Sequence, residues 1–253
     1  MTIRSRNLFD PAAKEPFKLS RSRLENFFKC PRCFYLDRRL GIDRPSMPGY
    51  TLNSTVDHLF KKEFDIFRVQ QKPHPLMKAN GVDAVPFQHQ DLEKWRENFH
   101  GVQFLHQPTN LLITGAIDDA WVRPNGELIV VDYKSTSKDW EITLEDKWKD
   151  SYKRQMDIYQ WLLRQNGFRV SKIGYFVYAN ALKTPEQFDG RLTFDIQFIA
   201  HEGDDAWVEP LILKAHACLK SDSLPAGAKD CEFCAYRKSI QGVEGRKWPV
   251  ITA

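Results

Sequence analysis

Long apolar runs are missing from this sequence. No segment of its 253 residues approaches the length needed to cross a bilayer. The opening stretch, MTIRSRNLFDPAAKEPF, lacks the apolar core of a secretory signal. The expected compartment is therefore the cytoplasm, with no membrane partner. Cysteine is sparse, with five in all, and cytoplasmic thiols stay reduced. These five are expected to be ligands or core residues rather than disulfides. Internal repeats and low-complexity tracts are also absent. What remains suits one α/β domain, or one with a helical insertion. Hydrophobic residues (42%) and aromatics (13%) are enough for a real core.

Strong net charge is lacking too: the balance is +4. Its distribution is uneven. Residues 1–44 carry eleven Lys/Arg against five acids, so the remaining chain is slightly acidic. A basic N-terminal region on a near-neutral body suits a polyanionic partner. The plain alternative is a solvated helix face.

The pattern along the chain is helical first. Residues 1–19 read as an irregular leader. Ser20 and Ser22 are rival N-caps, and Leu24, Phe27, Phe28, Phe34, Tyr35 and Leu40 suit a helix to Gly41, interruptible at Pro31. A second helix is expected over 52–70, a loop over 71–86 and a third helix over 87–100. Strands are expected at 102–106, 111–122 and 127–134, a helix at 151–166, strands at 171–179 and 192–199, and a helix at 204–220. This order implies a mixed sheet flanked by helices.

The stretch ELIVVDYK, 127–134, is the most informative. Leu128 to Val131 are apolar on both faces, as in a central strand buried on two sides. Yet the strand ends in Asp132 and Lys134, which share one face, while Tyr133 takes the other. A buried carboxylate and ammonium are costly unless paired or bound to a metal. The preceding strand, LLITGAIDDAWV, likewise ends its apolar run in Asp118 and Asp119. The turn at 124–126 makes the two strands neighbours. Two carboxylates beside a lysine suit phosphodiester hydrolysis: Mg²⁺ takes oxygen ligands and leaves positions for water and phosphate. The backbone carbonyl of Tyr133 is a further candidate oxygen. The alternative is a structural Asp–Lys pair.

GAIDDAW, ELIVVDYKST and RQMDIYQWLL, in this order, resemble the PD-(D/E)XK nuclease superfamily in its RecB-like branch. The resemblance covers about residues 20–236. It implies an α/β restriction-endonuclease-like core, a central mixed β-sheet flanked by helices. It also implies a Mg²⁺- or Mn²⁺-dependent deoxyribonuclease, expected as an exonuclease, acting in repair, recombination, replication or CRISPR-type processing. Its catalytic positions fall on Asp118, Asp132 and Lys134, with Gln155 and Tyr159 on the following helix. Residues 155 and 159 are one helical turn apart and share a face. A histidine on an early helix often joins the metal shell of this family; His58 in TVDHLFKKEF matches. The expected metal set is thus His58, Asp118, Asp132 and the Tyr133 carbonyl. The expected organisation is a leader (1–19) and a nuclease domain (20–236), then a tail (237–253). The domain divides into a helical part (20–100), a catalytic core (101–200) and a C-terminal helix with cysteines (201–236). DNA is the expected partner. No helicase motif is present, so a helicase or recombination partner would be a separate protein. The rival reading is a non-catalytic nucleic-acid-binding or cluster-bearing subunit on the same fold.

Cys30 and Cys33 form CPRC, and Cys231 and Cys234 form CEFC. Two C-x2-C pairs make a four-thiolate signal that zinc and an iron–sulfur cluster satisfy equally on spacing. A metal there would clasp the N-terminal helix to the C-terminal segment. The resemblance favours a 4Fe–4S cluster, with structural Zn²⁺ as the alternative. The family pattern has one early and three late cysteines, whereas this chain has two and two, with Ser239 near where a late cysteine is expected. Cys218, on an apolar helical stretch, is expected in the core. For DNA, Arg21, Arg23, Lys29, Arg32, Arg38 and Arg39 are candidate phosphate contacts, as is the stretch Lys147 to Lys153. Phe27, Phe28, Phe34 and Tyr35 suit either base stacking or a buried stripe.

Overall fold

Two sheets, rather than one, organise the chain. The computed structural model describes residues 3–45 and 49–242; the last eleven residues of the expected tail lie outside them. Strand β1 (Phe17–Ser20) overlaps the end of the expected leader and leads into α1 (Arg21–Lys29), α2 (Pro31–Leu40) and α3 (Thr51–Gln70). Next come α4 (Pro75–Ala79), β2 (Val85–Pro86), α5 (Leu92–Arg96), β3 (Val102–His106) and β4 (Leu111–Gly115). After these lie β5 (Asp119–Val122), β6 (Leu128–Thr136), α6 (Asp150–Gln165), β7 (Ile173–Ala181) and β8 (Phe194–Glu202). The last described elements are α7 (Val208–Lys220) and α8 (Glu232–Gln241). The smaller sheet runs β1-β4-β3 and the larger β2-β5-β6-β7-β8. Strand β1 is parallel to β4, and β6 is parallel to β7; the other neighbours are antiparallel. A parallel β6–β7 pair requires a crossover, and α6 supplies it.

The segment 111–122, expected as one strand, breaks at residues 116–118. Backbone groups there leave the ladder for other partners. The Ile117 N–H donates to the Trp95 carbonyl at 3.1 Å, and Arg96 Nε donates to the Asp118 carbonyl at 3.1 Å. Strands β4 and β5 therefore belong to different sheets, with Asp118 at the junction. The helix expected over 87–100 shortens to α5, because Phe87 N–H instead bonds the Ala120 carbonyl beside β5. The loop expected over 71–86 holds α4, started by Pro75 and by the His74 ring, which accepts from the Leu76 N–H at 3.1 Å. The first helix does divide at Pro31, which sits at the first position of α2. The last long helix starts at Val208 and the C-terminal segment continues as α8.

Strand β6 shows why the core is double. Val130 joins the core on the α6 side, while Ile129, Val131 and Tyr133 join the core on the α3 side. Helix α3 presents Val56, Phe60 and Phe64 at four-residue spacing to that second core, where Phe64 stacks on Trp121 and Phe60 on Tyr133. Burying each phenylalanine contributes about 2 kcal/mol. Helix α6 is buried continuously from Gln155 to Leu163, between the sheets and the α1 and α7 helices. Gly115 lets α6 come this close: a Cβ there would stand 2.8 Å from the Tyr159 ring and 2.9 Å from Leu162.

Candidate active site

Asp132 and Lys134 follow Val130 to the α6 side of β6, as alternation requires. Asp132 is fully buried. Its Oδ1 accepts from Gln155 Nε2 at 2.7 Å, and its Oδ2 accepts from Lys134 Nζ. The same Gln155 amide donates to the Tyr159 hydroxyl at 3.1 Å, so the pair on α6 forms one chain of bonds ending on Asp132. Lys134 Nζ lies 4.9 Å from the centre of the Tyr152 ring, which flanks the ammonium.

Asp118 enters from the junction between the sheets. Pairing of β5 with β6 begins at Asp119 and Val131, so the rest of β6 has no strand on that side. Asp118 takes the vacant ladder position: its Oδ2 accepts from the Tyr133 N–H at 3.0 Å. The carbonyl of a strand residue points to the same side as its N–H, so the Tyr133 oxygen faces this margin too. Asp118 Oδ1 accepts from Lys61 Nζ at 3.1 Å, and Lys61 also donates to Asp57 Oδ2 at 2.8 Å.

Asp57 and Lys61, on α3, were not singled out in the sequence. Their only signal is an acid one turn ahead of a base, which many solvated helices share. His58, the expected ligand, lies next to Asp57 but is exposed, and its side chain makes no hydrogen bond among the described residues. The face of α3 turned to Asp118 carries Asp57 and Lys61.

Charge in this group is unbalanced. Asp57, Asp118 and Asp132 face two ammonium groups, Lys61 and Lys134. Burial pushes the Asp132 carboxyl up; Lys134 works against this and Asp118 adds to it. Burial and Asp118 push Asp57 up as well. Burial alone would lower the proton affinity of Lys134, but Asp132 and Asp118 outweigh it and raise that affinity. Lys134 pairs with Asp132, and Lys61 is shared by Asp118 and Asp57, so two ammonium groups serve three acids. Asp57 Oδ1 is buried without a hydrogen-bond partner. An oxygen-rich group short of positive charge fits a divalent cation such as Mg²⁺ or Mn²⁺.

Asp119 has a different fate. It is fully buried, and it accepts from Arg68 Nη2 (2.6 Å), Arg96 Nη2 (3.2 Å), the Tyr133 hydroxyl (2.7 Å) and the Ala120 N–H (2.8 Å). Four donors inside the fold, two of them guanidinium groups, engage this carboxylate and fix it as a structural anchor.

Most of the expected phosphate contacts are likewise spent on structure. Arg23 and Arg38 pair with the buried Asp37, Arg32 donates to the Pro225 carbonyl, and Arg39 donates to the Phe9 carbonyl. Lys149 is buried against Thr143 and Asp146. Phe27, Phe34 and Tyr35 are core residues; Phe28 is half exposed under the Arg154 guanidinium, 4.2 Å away. Arg21 keeps a position beside the site, 6.0 Å from the Tyr159 ring centre.

The four motif cysteines converge. Their Sγ atoms all lie within 4.8 Å of one another. The Cys33–Cys231, Cys30–Cys234 and Cys33–Cys234 separations are 3.6, 3.7 and 3.8 Å. This group joins the α1–α2 region to the C-terminal segment. Cys218 is partly buried against the main core, and burial pushes its thiol up to about 11. No described helix is long and apolar enough to cross a membrane.

No curated protein matches the sequence. A solved structure titled "Crystal structure of SSO0001" is 18% identical over 89% of this chain and 86% of its own, at a TM-score of 0.35. The profile of the PD-(D/E)XK nuclease superfamily matches residues 70–239. That span is more than half of the chain, and it contains Asp118, Asp132, Lys134, Gln155 and Tyr159. The chain belongs to the PD-(D/E)XK nuclease superfamily.

Proposed function

We propose that the protein is a Mg²⁺- or Mn²⁺-dependent deoxyribonuclease of the RecB-like branch, working as an exonuclease in DNA repair, recombination, replication or CRISPR-type processing. The observation that carries this reading is the meeting of Asp118, Asp132 and Lys134 at the open margin of β6. Asp118 and Asp132 would hold the metal, with the Tyr133 carbonyl as a further oxygen. Asp57, next to His58 on α3, shares Lys61 with Asp118 and offers a buried Oδ1 that has no hydrogen-bond partner. A bound divalent ion would polarise the scissile phosphate and acidify a water.

The protein's own groups do the rest. Lys134, held protonated by the two acids, orients the attacking water and offsets charge on the phosphate. Gln155 fixes the Asp132 carboxylate, and Tyr159 fixes Gln155. Arg21, beside Tyr159, is placed to meet the DNA backbone. The test is incubation of purified protein with Mn²⁺ and end-labelled single- and double-stranded DNA. Shortening from an end, lost on adding a chelator and in Lys134→Ala, is the expected result. Binding of DNA with no cleavage under any divalent metal would favour the non-catalytic alternative.

A further inference from the structure

We infer that the four cysteines hold one tetrahedrally coordinated zinc ion and not the 4Fe–4S cluster that the family resemblance suggested. The argument is one of size. A zinc ion with four thiolates at about 2.3 Å sets the sulfurs about 3.8 Å apart, the edge of the tetrahedron. The observed separations are 3.6, 3.7 and 3.8 Å, and no pair exceeds 4.8 Å. In a cubane each thiolate binds a different iron, and the sulfurs stand outside the cluster at roughly 6 Å from one another. The thiols are too close together to admit four irons and four sulfides.

Packing holds three of the four thiols in place. Cys30, Cys33 and Cys231 are buried, and Ala228 packs against them. Its N–H donates to Cys30 Sγ at 3.4 Å. A Cβ on Gly227 would come within 2.9 Å of Cys234 Sγ, so this strap passes over the site only as glycine. Spreading the sulfurs to cubane spacing would push the strap away and break the seam beside it. There Arg32 Nε donates to the Pro225 carbonyl at 2.9 Å and the Tyr35 hydroxyl donates to the Ser221 carbonyl at 2.8 Å.

The backbone also prepares the site for thiolates. Cys30 and Cys231 are the N-cap residues of α2 and α8, and Cys33 and Cys234 lie three residues on. Two helix starts thus bring their positive dipole ends to the same four sulfurs. A closed tetrahedral set of four sulfurs, all from protein, selects a structural zinc and leaves no position for substrate. The ion ties the α1–α2 pair, which brings Arg21 to the active-site margin, to the C-terminal segment.

The test uses the full chain, produced with both iron and zinc supplied and purified without oxygen or chelator. Elemental analysis with an acid-labile sulfide assay should return about one zinc per chain, little iron and no sulfide, in a colourless solution. Replacing the metal with Co²⁺ should give the intense thiolate-to-cobalt bands of a tetrahedral four-sulfur site, a readout that needs no variant to fold. Iron and sulfide in about fourfold excess over chain, with a brown colour, would overturn the inference. So would a metal-free protein whose four motif thiols react freely. None of these outcomes depends on DNA cleavage, so the site can fail while the nuclease reading stands.

Discussion

Two adjacent aspartates should fail in opposite ways. Asp119 is fully buried and accepts four hydrogen bonds, two of them from guanidinium groups. Truncating it in Asp119→Ala leaves Arg68, Arg96 and the Tyr133 hydroxyl short of a partner inside the core. Breaking a buried ion pair costs about 3–5 kcal/mol. Asp65 still pairs with Arg68 at 2.8 Å and with Arg96 at 2.9 Å, which favours the lower end. In a chain of this size each kcal/mol moves Tm by about 2–4 °C, so the expected fall is roughly 10 °C. Asp118→Ala frees one N–H at Tyr133 and leaves Lys61 with Asp57, but it also relieves crowding of Asp132 and Asp57. These effects oppose each other and should leave stability within about 1 kcal/mol. Cleavage should nonetheless be lost in Asp118→Ala and retained below the lowered Tm in Asp119→Ala. Thermal unfolding of both variants, paired with cleavage assays well below either transition, decides the matter. Equal melting temperatures, or a fully active Asp118→Ala, would refute the division of roles.

Gly115→Ala should cost about 1–3 kcal/mol, because its methyl group meets the Tyr159 ring and Leu162. The displaced Tyr159 should also lower cleavage, measurable beside the melting curve. Stability should fall in acid through Asp65. Burial alone would raise its carboxyl, but Arg96 and Arg68 outweigh this and hold it below the ordinary aspartate value. Its contribution is therefore present above the unfolded-state value and is lost as pH drops through the lowered native one. Denaturation at a series of acidic pH values should show a shallower decline in Asp65→Asn than in the wild type. DNA affinity should weaken steeply with added salt, and Arg21→Ala should reduce the slope of log K against log salt by about one.

Much of this site was legible because β-strand alternation is strict. An apolar run ending in Asp132 and Lys134 places both on one face, and the β6–α6 geometry brings Gln155 and Tyr159 to them. The family resemblance chose Asp118 over Asp119, but alternation and composition do not rank two identical neighbours, since the strand break that separates them depends on Trp95 and Arg96, distant in sequence. That same break splits one expected sheet into two. Asp57 and Lys61 were invisible for a related reason: only tertiary packing shows which face of α3 meets β6. The N-terminal arginines misled through their number. Their count suggested a phosphate track, yet several serve the buried Asp37 and nearby carbonyls. The cysteine pairs were plain from spacing, but the choice of metal needed the sulfur separations.

Mn²⁺ binding, followed by paramagnetic resonance titration, addresses the active-site account most directly. Wild-type protein should show one site that Asp118→Ala and Asp132→Ala each weaken by tenfold or more, and that Lys134→Ala retains while losing cleavage. Mn²⁺ uptake unchanged by removal of either carboxylate would contradict the assignment of these side chains as its ligands.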